Sequence, residues 1–189
     1  MRCFIAIPLP EDLRKQLADI QRQLKQFDGD VTWSKPEGIH LTLKFLGEMS
    51  KEQIESIKKV MSRVASNHPR FSLESGGTGC FPTIQHPRIL WVGLNQGKES
   101  VVKLAAELEK ELVLLDIPSE ARAFNPHLTL GRVKSTNNLG PMMEYFQKRI
   151  KPDSHRINAS EIHLYESILK PSGAEYRILY TATLSPETH

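Results

Sequence analysis

Apolar positions along this chain follow two rhythms, one of period two and one near 3.6, and the whole series comes round twice. Arg2 to Ile7 is a compact β-prone run ended by Pro8 and Pro10. From Glu11 to Phe27, the residues Leu13, Leu17, Ile20, Leu24 and Phe27 recur at steps of four and three, which predicts one face of a helix. Asp28-Gly29-Asp30 closes it. Val31-Thr32-Trp33 is a short extended piece, Lys35-Pro36-Glu37-Gly38 a turn, and Ile39 to Leu46 a strand ending at Gly47. Ser50 and Gln53 have the spacing of a capping box, opening a helix with Ile54, Ile57, Met61 and Val64 on one side. A strand is expected at Phe71 to Glu74. The glycine-rich stretch through Gly76, Gly77 and Gly79 lacks the Lys-Ser/Thr ending of a phosphate-binding loop, so it reads as a flexible turn.

At Arg88 the order restarts. Arg88 to Leu94 is a strand like the first, and Val101, Leu104, Leu108 and Leu115 mark a helix. Pro118 to Pro126 is a loop leading into the strand His127-Leu128-Thr129-Leu130, and Pro141 opens a helix with Met142, Phe146 and Ile150. Two long β-prone runs follow, Arg156 to Ile168 and Glu175 to Leu184, around the turn Lys170-Pro171-Ser172-Gly173. The opening strands lie 86 residues apart and the two His-Leu-Thr-Leu segments 87 apart, so the chain reads as an internal duplication. The expected fold is α+β: a single domain over residues 1–189, built of two pseudo-symmetric halves at about 1–80 and 87–185. It is bilobal, with two antiparallel β-sheets facing across a central cleft and helices on the outer faces.

Bulk properties narrow the class without choosing the chemistry. At 189 residues, 39% hydrophobic and 25% charged, the chain is ordinary globular protein. A net charge of +3 permits a phosphate-bearing partner without requiring one. Cys3 and Cys80 have no metal-ligand or redox spacing, which fits a reducing cytoplasm. The apolar opening is too short and too interrupted by Pro8, Pro10, Glu11 and Asp12 for a signal peptide, and no run reaches a membrane span. A cytoplasmic monomer without membrane contact is expected.

The candidate chemistry lies in the repeated tetrapeptide. Requiring leucine at both other positions of a His-x-Thr triplet makes even one copy rarer than about 0.01 by chance, so two copies point to function. On a strand, residues i and i+2 share a face. His40 and Thr42 thus point one way while Leu41 and Leu43 enter a core, and His127, Thr129, Leu128 and Leu130 repeat the pattern. Two imidazoles titrating near neutral pH can serve as general acid and general base on opposite sides of a phosphodiester. The threonine hydroxyls would then donate to its non-bridging oxygens. With no carboxylate at i+2, a metal site has little support, and neither a metal nor any other cofactor is expected. Which histidine is acid and which base is left open by identical motifs.

These residues resemble the 2H phosphoesterase superfamily, and most closely its RNA 2′,3′-cyclic phosphodiesterases, first described as 2′-5′ RNA ligases. The resemblance covers nearly the whole chain. It is carried by Arg2 to Ile7, His40-Leu41-Thr42-Leu43-Lys44-Phe45-Leu46-Gly47, Pro87 to Gly93, Phe124-Asn125-Pro126-His127-Leu128-Thr129-Leu130-Gly131-Arg132, and Ile162-His163-Leu164-Tyr165-Glu166-Ser167 with Gly173 and Tyr176. It implies hydrolysis of RNA 2′,3′-cyclic phosphate ends to 2′-phosphomonoesters, with reversible 2′-5′ RNA ligation as an accompanying activity. It also implies that His40 is the proton donor and His127 the acceptor.

Phe45 and Arg132 each follow their histidine by five residues and are expected to bind substrate, clamping the terminal base by stacking. An odd offset reaches the histidine face only through a bulge or an early strand end. The alternatives from the residues alone are Phe45 in a core and Arg132 on a solvated edge. His163 reads as a sheet residue, and His68, His86, His155 and His189 as exposed loop or terminal positions. Lys44, Arg88 and Lys134 are candidates for positive potential toward RNA. Two rival functions stay open: a 2H phosphodiesterase for small cyclic nucleotides or ADP-ribose cyclic phosphate, and a non-catalytic RNA-end binding module.

Overall fold

In the computed structural model, which describes residues 1–186, the described residues form nine strands and four α-helices. The first strand, β1 (Arg2–Ile7), is buried at every position but Arg2. α1 (Glu11–Lys25) starts directly after Pro10, with Glu11 and Asp12 in its first turn and Arg22 and Lys25 in its last, as the helix dipole favours. It buries Leu13, Leu17, Ile20 and Leu24. After β2 (Val31–Trp33) and a 3₁₀ turn at Pro36–Gly38 comes β3 (Leu41–Glu48). α2 (Lys51–Ser66) begins with both bonds of the capping box: the Gln53 amide donates to Ser50 Oγ at 3.1 Å, and the Ser50 amide donates to Gln53 Oε1 at 2.9 Å.

The next element departs from expectation. β4 runs Phe71–Pro82, straight through the three glycines read as a turn. Two of them, Gly76 and Gly79, make room for side chains of the neighbouring strand β5 (Pro87–Gln96). A Cβ at Gly76 would lie 1.9 Å from Asn95 Nδ2, and one at Gly79 would lie 2.3 Å from Trp91 Cζ2. The chain continues as α3 (Lys98–Val113), β6 (Leu128–Val133), α4 (Leu139–Arg149), β7 (Arg156–Ala159), β8 (Glu161–Lys170) and β9 (Gly173–Thr183).

The strands form two antiparallel sheets, ordered β3-β1-β8-β9 and β2-β6-β5-β4-β7. Matched by position, β1 corresponds to β5, β3 to β6, and β8 to β4. β4, from the first half, pairs with β5, while β8, from the second, pairs with β1. Each half therefore lends two strands to the other half's sheet, β2 and β4 in one direction and β8 and β9 in the other. The helices cross over as well: α2 and α3 pack on the first sheet, and α4 packs beside α1 on the second. Gln21 on α1 is only 2% exposed and donates to the Leu130 carbonyl of β6 at 2.8 Å. One apolar core joins Ile5 and Leu41 of the first sheet to Leu90 and Leu128 of the second. The architecture is α+β, with duplicated halves interleaved around one core.

Candidate active site

His40 and His127 each sit immediately before a strand, β3 and β6. Behind them Leu41, Leu43, Leu128 and Leu130 are all buried to 4% exposure or less, anchoring the strands. Thr42 and Thr129 are half-buried on the opposite face. The pairing then breaks register identically in both copies. In β3, Thr42 faces Ala6 and Lys44 faces Ile5, so Leu43 is an extra residue. In β6, Thr129 faces Trp91 and Gly131 faces Leu90, so Leu130 is extra. A one-residue bulge reverses the alternation beyond it. Phe45, opposite Phe4, and Arg132, opposite Ile89, thereby come onto the faces of Thr42 and Thr129. The bulge in β6 is held by its own carbonyl, since Leu130 O accepts from the Ser34 amide at 3.0 Å as well as from Gln21. Phe45 is not a core residue: it is 61% exposed, with Phe4 6.2 Å away. Arg132 is exposed too.

His40 lies in an aromatic nest. Its ring centroid is 4.3 Å from Tyr165, 5.6 Å from Tyr176 and 5.9 Å from Phe4. Tyr176 crosses directly over Gly38, where a Cβ would come within 2.4 Å of its ring, so the residue two before His40 must be glycine for that ring to lie there. Burial lowers the His40 pKa to about 4, with Arg14 and His163 adding to the effect and the Gly38 carbonyl opposing it. Nδ1 of His40 has no partner of good hydrogen-bond geometry, although that carbonyl is near enough to favour the charged ring.

His127 stands in different surroundings. The Phe81 ring stands perpendicular to it with centroids 4.9 Å apart, and Trp91 is 6.5 Å away. Its Nδ1 is 2.7 Å from the Asn125 carbonyl. A carbonyl only accepts, so Nδ1 carries the proton and Nε2 of the neutral ring keeps a free lone pair. Burial lowers its pKa, opposed by the Asn125 carbonyl, with Arg132 lowering it further.

These shifts make stability depend on pH. The folded His40 resists protonation down to about pH 4, against an ordinary value of 6.5. Between those values the unfolded chain binds the proton and the folded chain does not, so His40's contribution is present above about pH 6.5 and is lost as pH falls toward 4. His127 acts in the same direction. Thermal melts at neutral pH and near pH 4 should therefore differ less for His40→Gln, which cannot titrate, than for the unmodified chain.

Two side chains take roles that their sequence reading missed. Lys44 carries no potential toward a ligand. It is 3% exposed, because the bulge turns it into the interior. Its Nζ donates to Glu109 Oε1 at 3.0 Å and to the Pro118 carbonyl at 2.8 Å, tying β3 to α3 and to the loop ahead of His127. His163 is a sheet residue, on β8, but not an isolated one. Its Nδ1 is 2.8 Å from the Tyr165 hydroxyl and its Nε2 is 2.7 Å from Glu161 Oε1. The only hint in the sequence was the His-x-Tyr alternation, and nothing marked Tyr165, Phe81 or Trp91 as neighbours of the histidines. Arg88 and Lys134 are exposed, as is His86, while His68 and His155 are partly buried. His189 lies outside the described residues.

Among the described residues, no helix is long and apolar enough to cross a membrane. A family model described as LigT-like phosphoesterase matches the chain twice, over residues 7–91 and 92–176. The chain is 33% identical to the RNA 2′,3′-cyclic phosphodiesterase of Thermotoga maritima, covering 95% of this chain and 94% of that one. It is 32% identical to the protein of the same name from Methanothermobacter thermautotrophicus, over 93% and 95% of the two chains. The crystal structure of TT0787 of Thermus thermophilus superposes with a TM-score of 0.81 at 29% identity, covering 100% of both chains. With two matched repeats, each presenting a histidine and a threonine on a strand bulged at the same position, the chain belongs to the LigT-like phosphoesterase family.

Proposed function

We propose that this chain hydrolyses RNA 2′,3′-cyclic phosphate ends to 2′-phosphomonoesters with two histidines and no metal, and that 2′-5′ ligation is the same displacement with an RNA 5′-hydroxyl attacking phosphorus in place of water. The observation that carries this reading is the identical bulge in β3 and β6, which brings Phe45 and Arg132 onto the faces of Thr42 and Thr129, just beyond His40 and His127. The residues 1–189 act as one domain whose halves, about 1–80 and 87–185, contribute one motif each. Two free, buried cysteines fit a reducing cytoplasm, and the site needs no residue from a second copy, consistent with a monomer.

The chemistry follows from the environments. His127 Nε2 removes a proton from water, and the resulting hydroxide forms a bond to phosphorus. The bond from phosphorus to the 3′ oxygen breaks, and His40 delivers its proton to that oxygen. Thr42 and Thr129 donate to the non-bridging oxygens, where charge accumulates. His40 is neutral in the free protein at pH 7, so it takes up its proton as the anionic phosphodiester binds and offsets the burial that disfavoured charge.

An RNA oligomer ending in a 2′,3′-cyclic phosphate tests the reading. The product should carry a 2′-phosphate, resolved from the 3′ isomer by mass analysis after enzymatic digestion, and turnover should persist in a chelator. A 3′-phosphate product, or no turnover, would overturn it. Comparison with a cyclic mononucleotide separates an RNA enzyme from one for small nucleotides.

Phe45 and Arg132 take the terminal base between them, aromatic face on one side and guanidinium on the other. Base stacking on an aromatic is worth about 1–3 kcal/mol, so Phe45→Ala should raise KM by roughly 5- to 150-fold with a smaller change in kcat. An unchanged KM in both Phe45→Ala and Arg132→Ala would remove the clamp.

A further inference from the structure

The two histidines occupy the same tetrapeptide on equally bulged strands, so whatever makes one the acid and the other the base lies around them. The surroundings differ at two matched places. Tyr165 stands opposite Phe4 in the first sheet, where Phe81 stands opposite Ile89 in the second. His163 stands opposite Ala6, where Gly79 stands opposite Trp91. The room that Ala6 leaves for an imidazole is filled beside His127 by the Trp91 indole, which lies over Gly79. Phe81 has no polar end, and its ring stands perpendicular to that of His127. Tyr165 lies 4.3 Å from His40 at 41° and carries a hydroxyl.

That hydroxyl begins a chain with one direction. Glu161 only accepts, so His163 Nε2 donates to it at 2.7 Å, and Nδ1 of the neutral ring accepts from the Tyr165 hydroxyl at 2.8 Å. Tyr165 and His163 are 4% and 7% exposed, where such linked bonds polarise one another strongly. Electron density is pushed from the carboxylate toward the phenol, and the phenol ring lies against His40. An aromatic face stabilises a cation placed within about 6 Å of its centroid.

We propose that Glu161, His163 and Tyr165 are positioning residues that make His40 the proton-carrying member of the pair, by stabilising its imidazolium against the Tyr165 ring. The proposal rests on the acid-base reading of His40 and His127 given above. Other groups face His40 from every side: Phe4 from β1, Arg14 from α1, Tyr176 from β9 and His163 from β8. Arg14 opposes the charge, as does His163 whenever it is itself protonated. Glu161 is the carboxylate that counters them, acting through the chain. Burial raises the Tyr165 phenol to about 12, so it remains a donor throughout the working range.

Tyr165→Phe keeps the ring and cuts the chain, and Glu161→Gln keeps the volume and removes the charge. In each, kcat at pH 7.5 for the cyclic-phosphate oligomer should fall about tenfold while KM stays within about twofold, and the alkaline limb of kcat should move down by about one pH unit. With adenosine 2′-monophosphate bound, the NMR titration of the His40 ring should shift to lower pH in both variants, with that of His127 unmoved. A Phe81→Leu control should leave the His40 titration in place. If the alkaline limb and the His40 titration both stay where they are in Tyr165→Phe and Glu161→Gln, the chain is structural only and the proposal is overturned. Full turnover in His40→Ala would instead overturn the acid-base reading on which it rests, and the NMR arm distinguishes the two failures because it needs no turnover.

Discussion

Replacing His127 with alanine should lower turnover of a cyclic-phosphate-ended RNA by about 10²–10⁴-fold at pH 7, because water then loses the group that takes its proton. His40→Ala should cost a comparable factor by leaving the 3′ oxygen to depart as an alkoxide. The double variant should fall little below the worse single one, since acid and base act in one step and their effects do not add. Single-turnover rates with circular dichroism on each variant check this. A variant that kept its fold and more than about a tenth of the rate would release that histidine from proton transfer. Binding of a nucleoside 2′-phosphate should survive both changes, because Thr42, Thr129, Phe45 and Arg132 remain.

The largest expected effect on stability lies at a charge that never meets solvent. The Lys44 side chain is 2% exposed and its partner Glu109 is 27% exposed. Removing the partner of a buried charge costs about 3–5 kcal/mol, because the remaining charge stays desolvated. Glu109→Ala also strips an acceptor from the Glu120 amide, which donates to it at 2.7 Å. The Pro118 carbonyl and the Glu120 carboxylate, 3.9 Å away, still face the ammonium, so about 3 kcal/mol, the low end, is the expected loss, equivalent to a melting temperature lower by roughly 6–12 °C. Lys44→Met should behave oppositely, close to neutral, since an apolar side chain of similar length needs no partner. A Glu109→Ala protein melting within about 2 °C of the unmodified one would show the pair to be incidental.

Much of the fold, and the residues of the candidate site, could be read from the sequence because duplication writes itself twice. Identical tetrapeptides at matching offsets marked His40, Thr42, His127 and Thr129, and helical spacing placed α1, α2, α3 and α4 to within a few residues. What stayed hidden was of three physical kinds. A bulge adds one residue with ordinary chemistry, so nothing in Leu43 or Leu130 announces that alternation reverses there. A lysine in a strand reads as solvent-facing unless its partner is known, and Glu109 is 65 residues away from Lys44. Gly76 and Gly79 read as a turn because the large neighbours they accommodate, Asn95 and Trp91, belong to another strand. Strand exchange between the halves was equally illegible, since local pattern says nothing about which distant strand β1 will choose.

That exchange sets an order of events for a nascent chain. β1 leaves the ribosome first, with Cys3, Phe4, Ile5, Ala6 and Ile7 all destined for burial, yet its neighbour β8 spans Glu161–Lys170. Domains assemble as their segments emerge, and a pairing this remote waits until every element between β1 and β8 has been made. The centre of the second sheet can form earlier, because β2, β4, β5 and β6 are all translated by Val133 and only the edge strand β7 comes later. His127 therefore receives its neighbours Phe81 and Trp91 while synthesis is still under way. His40 receives Tyr165 only once β8 has followed, so a translation product that stops short of β8 lacks that ring beside His40.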